Sequence, residues 1–217
     1  MPTSRVIKLP GVRLSFARLD TAKSFEEGDD ARYEATFLLD PTHAVHAKTI
    51  KEIKSVAGEI IKEHWGGKIP KGMNYCFGKG DDKEYDGYAG MFYIASAKKE
   101  NRGRVVIVDK DKSPLQPGDE NFPYSGCYVH ASITLWTNEH KKGGKRVSAN
   151  LRAIQFFKNG EAFSGEIPVD TDSEFDDQFD DQFDDLGIDD DDFDESDVET
   201  DDDDFDDELE DEDDPLA

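Results

Sequence analysis

YVHASITLW (128–136) and RVSANLRAIQFF (146–157) decide the fold, because both alternate between apolar and polar residues over their length. In the first, Val129, Ala131, Ile133 and Leu135 fall on one side, and Tyr128, His130, Ser132, Thr134 and Trp136 on the other. In the second, Val147, Ala149, Leu151 and Ala153 form the apolar set, with Ser148, Asn150, Arg152 and Phe156 opposite. A period of two marks strands with one buried face. NEHKKGGK, between them, predicts a basic hairpin.

Working outward, VRLSFARL (12–19) places Val12, Leu14 and Phe16 against Arg13, Ser15 and Ala17. ARYEATFLL (31–39) sets Tyr33, Ala35, Phe37 and Leu39 against Arg32, Glu34 and Thr36. After Asp40-Pro41-Thr42 the period changes: Ile50, Ile53, Ala57, Ile60 and His64 recur at three and four, predicting one amphipathic helix over roughly 42–64, ended by Gly66-Gly67. KIPKGMNYCFGKGDDKEYDGYAG reads as loops with at most one short strand. MFYIASAK (91–98) and RVVIVD (104–109) read as a strand pair around KENRG. The expected fold is mainly β, an OB-fold-like Greek-key barrel with one amphipathic helix. Periodicity alone leaves another α+β sandwich open.

Charge divides the chain sharply. Residues 170–217 hold 29 of the 51 acidic residues and no Lys or Arg, so all 26 basic residues lie in 1–169. A mildly basic body is joined to a polyanion, an asymmetry that points to nucleic acid. Residues 170–217 cannot bury enough apolar surface to offset chain entropy, and are expected to be a disordered acidic C-terminal tail. Residues 1–169 suit one domain with one core. Cys76 and Cys127 form no metal spacing and read as reduced thiols. With no apolar run of membrane length and no signal core, no membrane partner is expected.

The polar strand faces carry the chemistry. They hold Arg13 and Arg32, then Tyr128, His130 and Trp136, then Arg152 and Phe156. Rings on a polar face suit unstacked bases, each stack contributing about 1–3 kcal/mol, and neighbouring guanidinium groups suit phosphates. Lys98, Lys99, Arg102 and Arg104 on one hairpin, and Lys141, Lys142, Lys145 and Arg146 on another, would flank such a groove. Solvated loop tips and a small ring cluster are the blander alternatives. No cofactor or metal is expected. His43 and His46 lack a third ligand, and Asp81, Asp82, Glu84 and Asp86 lack calcium-loop spacing. No nucleophile or phosphate-loop motif is present, so the chain does not read as an enzyme.

VRLSFARL, RYEATFLLD, the run from VVIVDKDKSPLQPGDENFPYSGCYV to TLW, and KRVSANLRAIQFFKNGEAF together resemble the OB-fold single-stranded DNA-binding proteins of tailed bacteriophages, a family long catalogued as a domain of unknown function. The resemblance covers roughly residues 5–165. It implies a barrel that coats single-stranded DNA without sequence preference during phage replication and recombination, in the cytoplasm of the bacterial host cell. It also implies an acidic tail that recruits replication proteins such as a polymerase, helicase or primase. The sequence leaves a homodimer open.

Within the tail, Phe175, Phe179 and Phe183 recur at four, followed by Phe193 and Phe205. Acid alone would compete with DNA for a basic groove, at an effective concentration on the order of millimolar. The rings add apolar anchors for a partner, or base mimics for the barrel's own site; a plain solubilising tail is the bland reading. Two rivals remain: a polyanionic DNA mimic or chaperone occupying a basic protein through its acidic arm, and a nuclease built on the Asp81–Asp86 cluster.

Overall fold

A computed structural model describes residues 5–24, 28, 30–66, 69–140 and 144–163. In chain order the elements are β1 (Val6–Lys23), β2 (Arg32–Leu39), α1 (Ala44–Trp65), β3 (Asn74–Tyr75), β4 (Phe77–Lys79), β5 (Phe92–Lys99), β6 (Val106–Val108), β7 (Tyr128–His140) and β8 (Gly144–Lys158). Short 3₁₀ turns follow β4 and β5. The acidic tail, with Phe175, Phe179, Phe183, Phe193 and Phe205, lies outside the described residues, as do Lys141 and Lys142.

The sheet runs β3-β8-β7-β1-β2-β5-β4, and a parallel pairing of Ala97 with Asn150 joins β5 back to β8. β1, β2, β5, β8 and β7 therefore close into a five-stranded ring, the barrel expected from the sequence. Closure removes the free edges that would otherwise pair with other chains. The interior is filled by the inward sets of the long strands: Ile7, Leu9, Val12 and Leu14 from β1, Phe37 and Leu39 from β2, Val129, Ile133 and Leu135 from β7, and Leu151 and Ile154 from β8. Each fully buried aliphatic side chain contributes about 1.5–3 kcal/mol.

α1 closes this core from outside the sheet. Ile50, Ile53, Val56, Ala57, Ile60 and Ile61 are buried on one stripe, packed towards β1, β7 and β2. Asp40 shapes the entry: its Oδ1 accepts from the Thr42 amide at 2.8 Å and the Thr42 hydroxyl at 2.6 Å. These bonds hold the Asp40 carboxyl below its ordinary pKa. His46 spends both ring nitrogens on this corner, Nδ1 accepting from the Asp40 amide at 3.1 Å and Nε2 donating to the Pro10 carbonyl at 3.0 Å. Gly66, in the left-handed region, ends the helix with its amide on Lys62 O. His64, included in the expected apolar stripe, is exposed.

Three local expectations need correcting. β5 and the 104–109 segment do not form a hairpin: β6 crosses instead to lie parallel to β8, with Val106 opposite Ala153. Phe16 does not face the core. β1 is irregular between Ser15 and Arg18 in its pairing with β2, and Phe16 takes φ 48, which turns the ring out to 53% exposure. Phe156 does not lie on the polar face. Leu151 pairs with Ile133 and Ala153 with Ser132, so Arg152 is an extra residue that shifts the alternation by one. Ile154 and Phe156 then point inward, Phe156 at 3% exposure, while Phe157 stands out at 40%.

Candidate nucleic-acid interface

One row of side chains crosses the outside of the barrel wall. Successive strand pairings place Gly78, Tyr93, Leu38, Arg13, Tyr128 and Lys158 opposite one another from β4 to β8. Leu38 and Thr36 lie on this outward side yet are buried. The segment 80–91 explains this, since the hydroxyl of its Tyr88 donates to Ser15 Oγ at 3.3 Å. Burial raises the Tyr88 pKa above its ordinary value.

Segment 80–91 brings its rings to the β1–β2–β5 side. Phe16 meets Tyr85 edge-on at 4.9 Å between centroids and Tyr88 at 6.2 Å. Tyr85 and Tyr88 are 5.3 Å apart, and Tyr88 lies 6.1 Å from Tyr93, over which Lys83 Nζ sits at 5.6 Å. Tyr85, like Phe16, is 53% exposed. A bulky residue at positive φ is a strained conformer that its surroundings must hold. Here that strain presents a ring to solvent beside other rings. Such a surface offers π faces to flexible, unstacked bases.

A second piece of backbone fixes Arg13. Its Nε donates to Gly126 O at 3.3 Å and its Nη2 to Glu161 O at 2.9 Å, while Phe163 lies 4.1 Å under the guanidinium. The 159–163 segment is locked against 124–126: Tyr124 Oη donates to Gly160 O at 2.8 Å, and the Phe163 amide to Ser125 O at 3.2 Å. Only glycine fits at 126, where φ is 118 and a Cβ would meet Glu161 O at 2.1 Å. Phe163 also touches Gly87, where a Cβ would lie 2.3 Å from the ring. The strap thus joins Arg13 to the loop that carries Tyr85.

Eight of the barrel residues singled out from sequence separate into three places. Arg13, Tyr128 and His130 lie together at the row. Tyr128 carries Lys158 Nζ over its ring at 4.6 Å; His130 accepts the Gly11 amide at 3.0 Å and packs on Phe157 at 4.7 Å. Arg32, Lys98 and Arg102 gather where β2 begins and β5 ends. Lys98 stands opposite the inward Tyr33, and its Nζ donates to Arg104 O at 2.6 Å, a structural contact. Trp136, 38% exposed opposite Ser148, and Lys145, opposite Glu139, belong to the far β7–β8 hairpin. Arg152 is the exposed bulge residue and Phe156 is core.

Phe16, Tyr85, Tyr88, Tyr93 and Phe163 were not singled out. Strict alternation hides Phe16, because an irregularity is not visible in period-two patterning. Tyr85 and Tyr88 stand in a charged loop, where the unusual density of aromatics (Tyr85, Tyr88, Phe92, Tyr93) was the available signal. Among the described residues no cluster of three metal-ligating side chains occurs; Asp81 instead accepts the Gly90 amide at 2.6 Å and closes its loop.

A closed five-stranded barrel, with the parallel β5–β8 pairing and rings from β1, β5 and segment 80–91 on its outside, defines an OB-type protein. Residues 5–186 match the family described as the ssDNA-binding protein of Enterobacter phage Enc34, and the chain belongs to that family. A protein of Acyrthosiphon pisum secondary endosymbiont phage 1, described as putative protein p50, is 39% identical over 168 residues, 73% of this chain and 86% of its own. The single-stranded DNA-binding protein of bacteriophage Enc34 in complex with ssDNA superposes with a TM-score of 0.63 at 28% identity, covering 73% of this chain and 89% of that one. Gp2.5, a single-stranded DNA-binding protein encoded by bacteriophage T7, gives a TM-score of 0.51 over 81% of this chain and 97% of its own. At 13% identity that likeness concerns the fold alone.

Proposed function

We propose that the chain binds single-stranded DNA without sequence preference, coating it during phage DNA replication and recombination in the cytoplasm of the host. The observation that carries this reading is the set of outward rings of Phe16, Tyr85 and Tyr93, packed around the buried Tyr88 beside Arg13. It stands on the strands that bind oligonucleotides in OB folds. Membership of the Enc34 family supports the same ligand. Bases would stack on the rings, and arginines and lysines would neutralise phosphates, so affinity falls as salt rises. Nothing in this chemistry requires catalysis, and binding is the activity we assign.

Residues 1–169 are the binding domain in this reading and 170–217 an acidic tail. The tail's charge rivals DNA for the basic face, and its phenylalanines recruit replication proteins, a polymerase, helicase or primase. Fluorescence titration of the full chain and of residues 1–169 with single- and double-stranded oligonucleotides, across salt, tests these roles together. The shortened chain is expected to bind oligo-dT more tightly at low salt. Equal affinity at low salt would end the competition model. A shortened chain that ignores oligo-dT would end the DNA-binding reading and favour the DNA-mimic rival.

A further inference from the structure

We infer that Arg18 and Arg32 form a binding site for one DNA phosphodiester, and that Glu34 occupies this site as a built-in stand-in for phosphate. The inference rests on the single-stranded DNA reading above. Arg18 stands opposite Glu34 across the β1–β2 pair, and Arg32 precedes Glu34 by two residues, hence on the same outward side of β2. Each carboxylate oxygen takes a different guanidinium: Arg18 Nη1 lies 3.3 Å from Oε2, and Arg32 Nε 3.2 Å from Oε1. All three side chains keep about a quarter to two-fifths of their surface in solvent.

A phosphodiester has the same features as this carboxylate: one negative charge shared over two unsubstituted oxygens, which a guanidinium fork matches in shape and sign. Position supports the assignment. The irregular stretch of β1 between Ser15 and Arg18 that turns Phe16 outward ends at Arg18, so a base platform and a phosphate receptor are two residues apart on one strand. Lys23 and Lys99 flank Arg32 in register at the strand ends, Lys99 with its Nζ on Asp30 Oδ2 at 2.6 Å. Glu34 holds both arginines ready while DNA is absent. When a phosphate approaches, the same carboxylate repels it and gives up its two partners.

An ordinary surface ion pair contributes little to stability and nothing to DNA binding. The two roles differ in their salt dependence. For the full chain titrated with oligo-dT over a sodium chloride series, Glu34→Gln is expected to bind roughly two- to fivefold more tightly at low salt. The slope of log K against log salt should steepen by about 0.7, the value of one phosphate contact on a single strand. Arg18→Gln should weaken binding and make the slope shallower by a similar amount, and combining it with Glu34→Gln should return the slope towards the parent. A folded Glu34→Gln chain with unchanged or weaker binding and an unmoved slope overturns the inference, as does an Arg18→Gln chain with the parental slope. A parent chain that ignores oligo-dT overturns the binding reading itself, and this site with it.

Discussion

The outside of the barrel has two differently built halves. On the β1–β2–β5 half, segment 80–91 folds back over the strands, and its rings touch one another and Phe16. On the β7–β8 half, aromatics are spread out: Tyr128 lies under Lys158, Phe157 packs on the His130 ring, and Trp136 stands opposite Ser148 in the hairpin. Both halves enclose the same aliphatic interior, so their difference owes nothing to the core. It comes from what the chain lays on the outside. A surface dense in rings was assembled by a loop folding onto strands, which strand periodicity does not report.

The sharpest way to break this account lies on the β7–β8 half, in two adjacent phenylalanines. The bulge at Arg152 assigns Phe156 to the core and Phe157 to the surface. Phe156→Ala should cost about 3–5 kcal/mol in urea unfolding, whereas Phe157→Ala, on a half-exposed ring packed on His130, should cost about 1 kcal/mol or less. Equal losses would mean that the inward and outward sets are wrongly divided there.

The same pair shows how far the sequence could be read. Inward residues of β7 were legible one by one, since Val129, Ala131, Ile133 and Leu135, every second residue, are all buried. The helix was legible because Ile50, Ile53, Ala57 and Ile60 need no partner strand to define their stripe. Legibility failed where one strand carries more residues than its neighbour. At Arg152, and between Ser15 and Arg18, the mismatch is a property of the pairing, and one strand's sequence does not contain it. Pairing across the barrel was equally hidden: β6 joins β8 rather than β5, because a long-range contact outcompetes the nearer hairpin partner. For the site, Arg13 and Tyr128 were visible as strand-face residues, while Phe16 and Phe163 required the folded chain.

The two halves can also be set against each other in DNA binding. Phe16→Ala and Tyr85→Ala, titrated with oligo-dT, are each expected to lose about 1–3 kcal/mol, while thermal unfolding stays near the parent. Tyr128→Ala should show an intermediate loss, because it lies at the row's junction beside Arg13. Trp136→Ala should lose least, under about 1 kcal/mol, since its ring lies in the far hairpin, away from the cluster. The reverse order, Trp136 above Phe16 and Tyr85, would move the stacking surface to the β7–β8 half.

The smallest effect concerns the junction between the halves. Cys127 sits between β7 and the 124–126 stretch against which the 159–163 strap is locked; its carbonyl accepts the Leu14 amide at 2.9 Å, and its side chain is buried. Burial pushes the thiol up to about 11, from an ordinary value of 9.0. An acid whose folded pKa is raised stays protonated when the unfolded chain has already lost its proton. Below pH 9 the two states bind the same proton and this group leaves stability unaffected; between about 9 and 11 the unfolded state is favoured increasingly as pH rises. Urea midpoints should therefore decline across that window, and Cys127→Ser should flatten part of the decline. A thiol reagent at pH 8 should modify Cys127 slowly in the native chain and quickly once urea unfolds it, because the thiolate is the reactive form. Rapid native modification would show that the strap opens readily, and the rigid junction that holds Arg13 between the two halves would have to be given up.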